Sequence, residues 1–188
     1  MLSAVAKPRL QSASELRAWQ RSKTFVRVHR SSLEQGHVTG RIVGSSTKLL
    51  ALATIGETRP DGFEVFRRAD VSRLQAPDPY ADFVEAALRL RGETLPRFPK
   101  IDLGSWRSVV TGAARRFPLV TLHTELRDPD VCFIGRPIRL TTRGVTLHTI
   151  APGAVWDDER TFAWADLTRV EFGGVYEDAL ALVAASRA

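Results

Sequence analysis

The chain has little of what covalent or metal chemistry needs. Its 188 residues include one cysteine, Cys132, which leaves no partner for an internal disulfide and no repeated metal spacing. No apolar run approaches the roughly 20 residues of a membrane span. The stretch Met1-Leu2-Ser3-Ala4-Val5-Ala6-Lys7-Pro8 is too short in apolar residues for a signal-peptide core. A reducing, cytoplasmic setting without membrane contact is expected. There is also no Gly-rich phosphate loop, no nucleophile elbow and no paired carboxylates repeated beside a base. No catalytic residue, cofactor or metal ligand is therefore assigned, and the chain is not expected to be an enzyme.

What is present is charge in an uneven layout. The net charge is +6, but residues 1–24 carry five basic residues against one acidic, and residues 93–118 carry five against two. Residues 25–92 hold ten basic and eight acidic residues, whereas residues 119–188 hold seven and ten. Positive charge gathers ahead of two longer stretches, the second of which is itself acidic, a layout that permits an anionic partner without requiring one.

Those two stretches resemble one another. Val26-Arg27-Val28-His29 returns as Val120-Thr121-Leu122-His123, and Gly40-Arg41 returns as Gly135-Arg136. Thr47 to Ile55 returns as Thr142 to Ile150, and Ala69-Asp70-Val71-Ser72-Arg73-Leu74 returns as Ala165-Asp166-Leu167-Thr168-Arg169-Val170. Each copy opens with period-two alternation suited to a half-buried strand. A glycine-bearing second strand follows, then a tight turn into a third strand ending at Ile55 or Ile150. Residues 56–62 and 151–158 read as loops, and fourth strands are expected near 63–68 and 161–164.

A helix closes each copy. Asp78 and Pro79 can start one in which Tyr80, Phe83, Val84, Ala87 and Leu88 share a face, and Gly92 ends it. Tyr176, Ala179, Leu180, Val183 and Ala184 repeat that stripe, whose expected place is against the chain's own sheet. Shorter helices precede each first strand, one behind the capping box Ser12-Ala13-Ser14-Glu15 and one opening at Ser105-Trp106.

A leading helix, a bent glycine-bearing strand and four or five short strands resemble the Sm-like, SH3-like group of small β-barrels. The closing Asp motif and Tyr-led helix are also similar to those of bacterial proteins built on that barrel. The resemblance implies a mainly β protein with helices (α+β), made of two tandem barrels each closed by a C-terminal helix. The implied units are 1–92 and 104–188, joined by a proline-rich linker at 93–103. Uridine-binding Sm proteins keep an Asp and an Asn where this chain has Ser46 and Leu50, or Thr141 and Val145, so their base pocket is not expected here.

Four sets of residues invite a functional reading. His29 and His123 match, but neither has a second ligand nearby in sequence, and a structural role is preferred. Asp70 and Asp166, each three residues before an Arg, suit turn chemistry better than binding; strand alternation puts Arg73 and Arg169 on the opposite face. Tyr80 and Tyr176 could stack on bases but begin an apolar stripe. Arg17, Trp19, Arg21 and Lys23, with Trp106, Arg107, Arg115 and Arg116, combine rings with cations, as a single-stranded nucleic-acid contact requires. The primary expectation is a protein-interaction or self-assembly module, with RNA or single-stranded DNA binding through those eight residues as the alternative.

Overall fold

Ser12 opens the first helix by accepting from the Glu15 backbone N–H while Glu15 reaches back to the Ser12 N–H, so the capping box forms as the sequence predicts. The computed structural model describes residues 11 to 187; the apolar stretch Met1 to Pro8 lies outside the described residues. In chain order the first half contains α1 (Ala13–Ser22), β1 (Phe25–His29), β2 (Val38–Ser45), β3 (Leu49–Gly56), β4 (Arg59–Arg67), β5 (Arg73–Gln75) and α2 (Ala81–Arg91). The second half contains α3 (Trp106–Ala114), β6 (Val120–His123), β7 (Cys132–Leu140), β8 (Gly144–Ala151), β9 (Val155–Ala163), β10 (Arg169–Phe172) and α4 (Val175–Ala185). Among the described residues, no helix is long and apolar enough to cross a membrane.

The sheet corrects the expectation of two closed barrels. All ten strands form one open antiparallel sheet in the order β5-β1-β2-β3-β4-β10-β6-β7-β8-β9. Neither group of five closes on itself: β4 pairs with β10 of the other half through Phe63 to Phe66 opposite Phe172 to Arg169. The fold is α+β and mostly sheet. Pairing across the halves satisfies the β4 backbone groups that closure would otherwise have used.

Packing explains why the halves stay joined. The largest core places Leu49, Ala51, Phe63 and Val65 of the first half with Val120, Leu122, Val145, Leu147 and Val170 of the second, under Trp106, Val109, Val110 and Ala113 of α3. A smaller core beneath α1 collects Leu16, Val26, Val28, Leu50, Leu52 and Phe66. Phe25 packs with Val84 and Leu88 of α2, and Leu119 with Leu180 and Ala184 of α4. The 93–103 stretch carries no helix or strand, yet Ile101 and Leu103 are buried in the large core.

Two strand readings also change. The fourth strands begin earlier than Pro60 or the 151–158 segment suggested, because β3 and β4 meet in a hairpin whose turn residues Glu57 and Thr58 hold φ of 45° and 70°. Pro60 is tolerated because β4 has no neighbour on its far side there; the β10 ladder covers only Phe63 to Phe66. Asp157 and Asp158, within the 151–158 segment expected to be a loop, lie with Glu159 in β9, the strand at one end of the sheet. The shared glycines do mark close approach: a Cβ on Gly40 would strike the Ala53 carbonyl, and one on Gly135 the His148 carbonyl.

The apolar stripe of the closing helices is the last correction. Val84 and Leu88 are buried, but Tyr80 is 65% exposed and Phe83 62%. In α4, Leu180 and Ala184 are buried while Tyr176 and Val183 face outward. Each helix is apolar on more than one side, so the sheet takes only one row of its apolar side chains.

Candidate functional site

The densest polar cluster sits where the two halves join. In the β4·β10 ladder Glu64 lies directly opposite Glu171, and in the β10·β6 ladder Arg169 lies opposite His123 and Glu171 opposite Thr121. Strand alternation gives these five side chains one face, while Val65, Val170, Phe63 and Phe172 turn to the large core. Arg30 arrives from the end of β1 and Glu125 from the end of β6.

Arg30 is fully buried and binds Glu125 through both Nη atoms, at 2.7 and 2.6 Å, and donates its Nε to Glu34 at 2.9 Å. Burial works against its charge, but the hydrogen bonds with Glu125 and Glu34 outweigh it, and the guanidinium stays protonated. Burial also opposes the charge on Glu125, yet the Arg30 contact holds that carboxyl down at about 2. Arg169 lies 3.3 Å from Glu125, 3.4 Å from Glu64, 3.5 Å from Glu34 and 3.1 Å from Glu171.

Two guanidinium groups thus face four carboxyl groups, and the carboxyl groups differ in how readily they give up a proton. Burial, then the charge of Glu171, pushes Glu64 up to about 8. Glu171 goes the other way: burial would raise it, but the contact with His123 and the charge of Arg169 bring it below the ordinary carboxylate range. Arg169 Nη2 lies 3.1 Å from His123 Nδ1, and His123 Nε2 lies 2.7 Å from Glu171 Oε1.

A cavity of about 170 Å³ opens beside this cluster, lined by Glu64, His123, Glu171, Cys132 and Glu177 among others. Thr121 donates to Glu177 Oε1 at 2.5 Å. Burial, then the charge of Glu171, pushes the Cys132 thiol up. That environment opposes thiolate formation. Among the described residues, no group of three or more His, Cys, Asp or Glu is placed to hold a metal.

The matched histidines share a strand position and little else. His29 packs its ring 5.4 Å from that of His37, and burial, then His37, lowers its pKa. What does recur is the bonding around them: Ser72 Oγ and Thr168 Oγ1 each donate to the carbonyl of the local histidine, at 3.0 Å in both places. Asp70 binds Arg67 and Asp166 binds Arg127, each at 2.6 Å, and neither contacts the Arg three residues on.

The basic segments are placed apart. On and just beyond α1, Arg17, Arg21 and Lys23 are exposed and Trp19 leans on the first-half core. On and beside α3, Arg107, Arg115 and Arg116 are exposed, but Trp106 is only 8% exposed and its ring belongs to the large core. Lys100, Arg107, Arg115 and Arg116 edge a groove of about 660 Å³ along α3.

The sequence reading missed Arg30, Glu34, Glu64, Glu125 and Glu171. A signal was present where the two similar stretches differ: Arg30-Ser31 stands against Thr124-Glu125, and Gln75 against Glu171. The joint between the halves forms once, so residues that serve it have no counterpart. Comparison with protein families, curated proteins and solved structures found no match for the chain.

Proposed function

We propose that the chain is a non-enzymatic binding protein that acts through the outer faces of its closing helices, on another protein or on copies of itself. The observation that carries this is the row of exposed apolar residues on each helix. Phe83 and Leu90, the latter 84% exposed, stand seven residues apart on α2, with Tyr80 just ahead of them. Val175 and Leu182 repeat that spacing on α4, with Tyr176 and Val183 alongside. Single exposed apolar residues are ordinary, but rows at two-turn spacing suit a helix or groove laid against them.

A second surface supports the same reading. The nine-residue strand β9 pairs only with β8, so its other edge carries unpaired backbone groups. Its exposed Asp157, Asp158 and Glu159 favour a basic strand there. At the opposite end, β5 is three residues long and the Gln11 side chain already donates to its Leu74 carbonyl.

Sedimentation velocity and partner capture test the proposal. The unaltered chain is expected to self-associate or retain a defined protein partner, and Phe83→Glu with Leu90→Glu, or Val175→Glu with Leu182→Glu, to abolish that association without changing the melting temperature. Association that survives both pairs of substitutions would show that the helices are not the surface used.

One observation favours a second reading, nucleic-acid binding: among the described residues the four cations edging the α3 groove form no ion pairs. With the Trp106 ring enclosed, such binding would rest on phosphate contacts and fall steeply between about 50 and 200 mM salt. Replacing Arg17, Arg21, Arg115 and Arg116 with Ser would abolish it, as read by fluorescence anisotropy of a labelled single strand.

A further inference from the structure

A second groove, of about 650 Å³, lies between the halves at the end where their turns meet. Its walls come from both: Thr47 and Ala69 from the first, Thr142 and Ala165 from the second, with the start of α3 between them. This volume falls within the range of about 300 to 1,000 Å³ typical of small-molecule sites, which favour such junctions.

The lining is apolar below and cationic at the mouth. Leu49 and Trp106 form buried parts of it, and Trp164, whose indole N–H donates to the Thr141 carbonyl at 3.1 Å, contributes a half-exposed ring. Lys48 and Arg107 are exposed at the opening and form no ion pair among the described residues, whereas the third cation, Arg67, is held by Asp70. No carboxylate lines the groove. An indole floor with two uncompensated cations above it suits a flat apolar body bearing one negative group, since the ring surfaces exclude water and the cations fix the charged end.

We infer that this groove binds a small organic anion of that kind, a flat ring system carrying a single carboxylate or equivalent group. The ligand bridges the two halves, so its binding raises the melting temperature of the whole chain.

Calorimetric titration of the full chain with naphthalene-1-carboxylate and with the neutral naphthalene-1-carboxamide tests the inference. Saturable binding of one carboxylate per chain is expected, about fivefold tighter than the carboxamide, as one partly exposed charge contact provides. Lys48→Gln with Arg107→Gln brings the two ligands to equal affinity and leaves the carboxamide affinity unchanged. Ala69→Phe, at an exposed position on the wall, removes binding of both. Equal affinities in the unaltered chain overturn the inference, as does binding that survives Ala69→Phe or the absence of saturable binding by either ligand.

Discussion

At the scale of single residues, the joint is governed by how many carboxyl groups two arginines can hold. Removing Glu125 leaves the buried Arg30 with Glu34 as its one carboxylate partner, so Glu125→Gln is expected to cost about 3 kcal/mol in urea denaturation at neutral pH. Arg30→Met with Glu125→Leu is expected to recover most of that loss, because a packed apolar pair needs no desolvation. Glu125 sits at about 2 in the fold against an ordinary 4.5. Its contribution is therefore complete above about 4.5 and disappears as pH falls toward 2. Glu64 has the opposite sign: at about 8 in the fold against 4.5 outside it, the folded chain holds a proton that the unfolded chain releases. Stability accordingly declines as pH rises from about 4.5 to 8, and Glu64→Gln is expected to flatten that decline in denaturation midpoints measured across the window.

At the scale of elements, the glycines and caps were legible in the sequence because their reasons are local. The Ser12 to Glu15 box and the left-handed Gly92 at the end of α2 need only neighbouring residues to be recognised. Gly40 and Gly135 were legible through their repetition, and the carbonyls behind them supply the reason. Gly40→Ala or Gly135→Ala is expected to lower the melting midpoint strongly in circular dichroism, since the obstacle is backbone rather than a movable side chain; Gly36→Ala, with open space around it, serves as the control. The outward rows on α2 and α4 were misread for a physical reason. A helical stripe states which residues share a side, but the width of apolar surface that one sheet can cover is a tertiary quantity. Val84 and Leu88 fill that width, and Phe83 and Leu90 lie beyond it.

At the scale of the whole molecule, the likeness between the two stretches of sequence indicated strands and turns but not which strand meets which. Closure within each half and pairing between halves use the same strands, and only side chains such as Glu64 and Glu171, which do not match between the two stretches, mark the joint. Because the largest core draws on both halves and α3, the chain is expected to unfold in one calorimetric transition, with the van't Hoff enthalpy equal to the measured enthalpy. Two separate transitions would show that the halves melt independently.

The β4·β10 ladder also sets the order in which the chain can be completed. Arg169 meets Glu64 across 105 residues of sequence, so during synthesis the first half emerges with β4 uncovered and waits for the last strand to be made. Over that interval its edge is open to any other chain, and loop closure across so long a span is slow. Glu64, the one carboxyl of the joint carried by β4 itself, thus does something besides join: until β10 arrives it leaves a charge on the open edge, which disfavours pairing with a wrong strand.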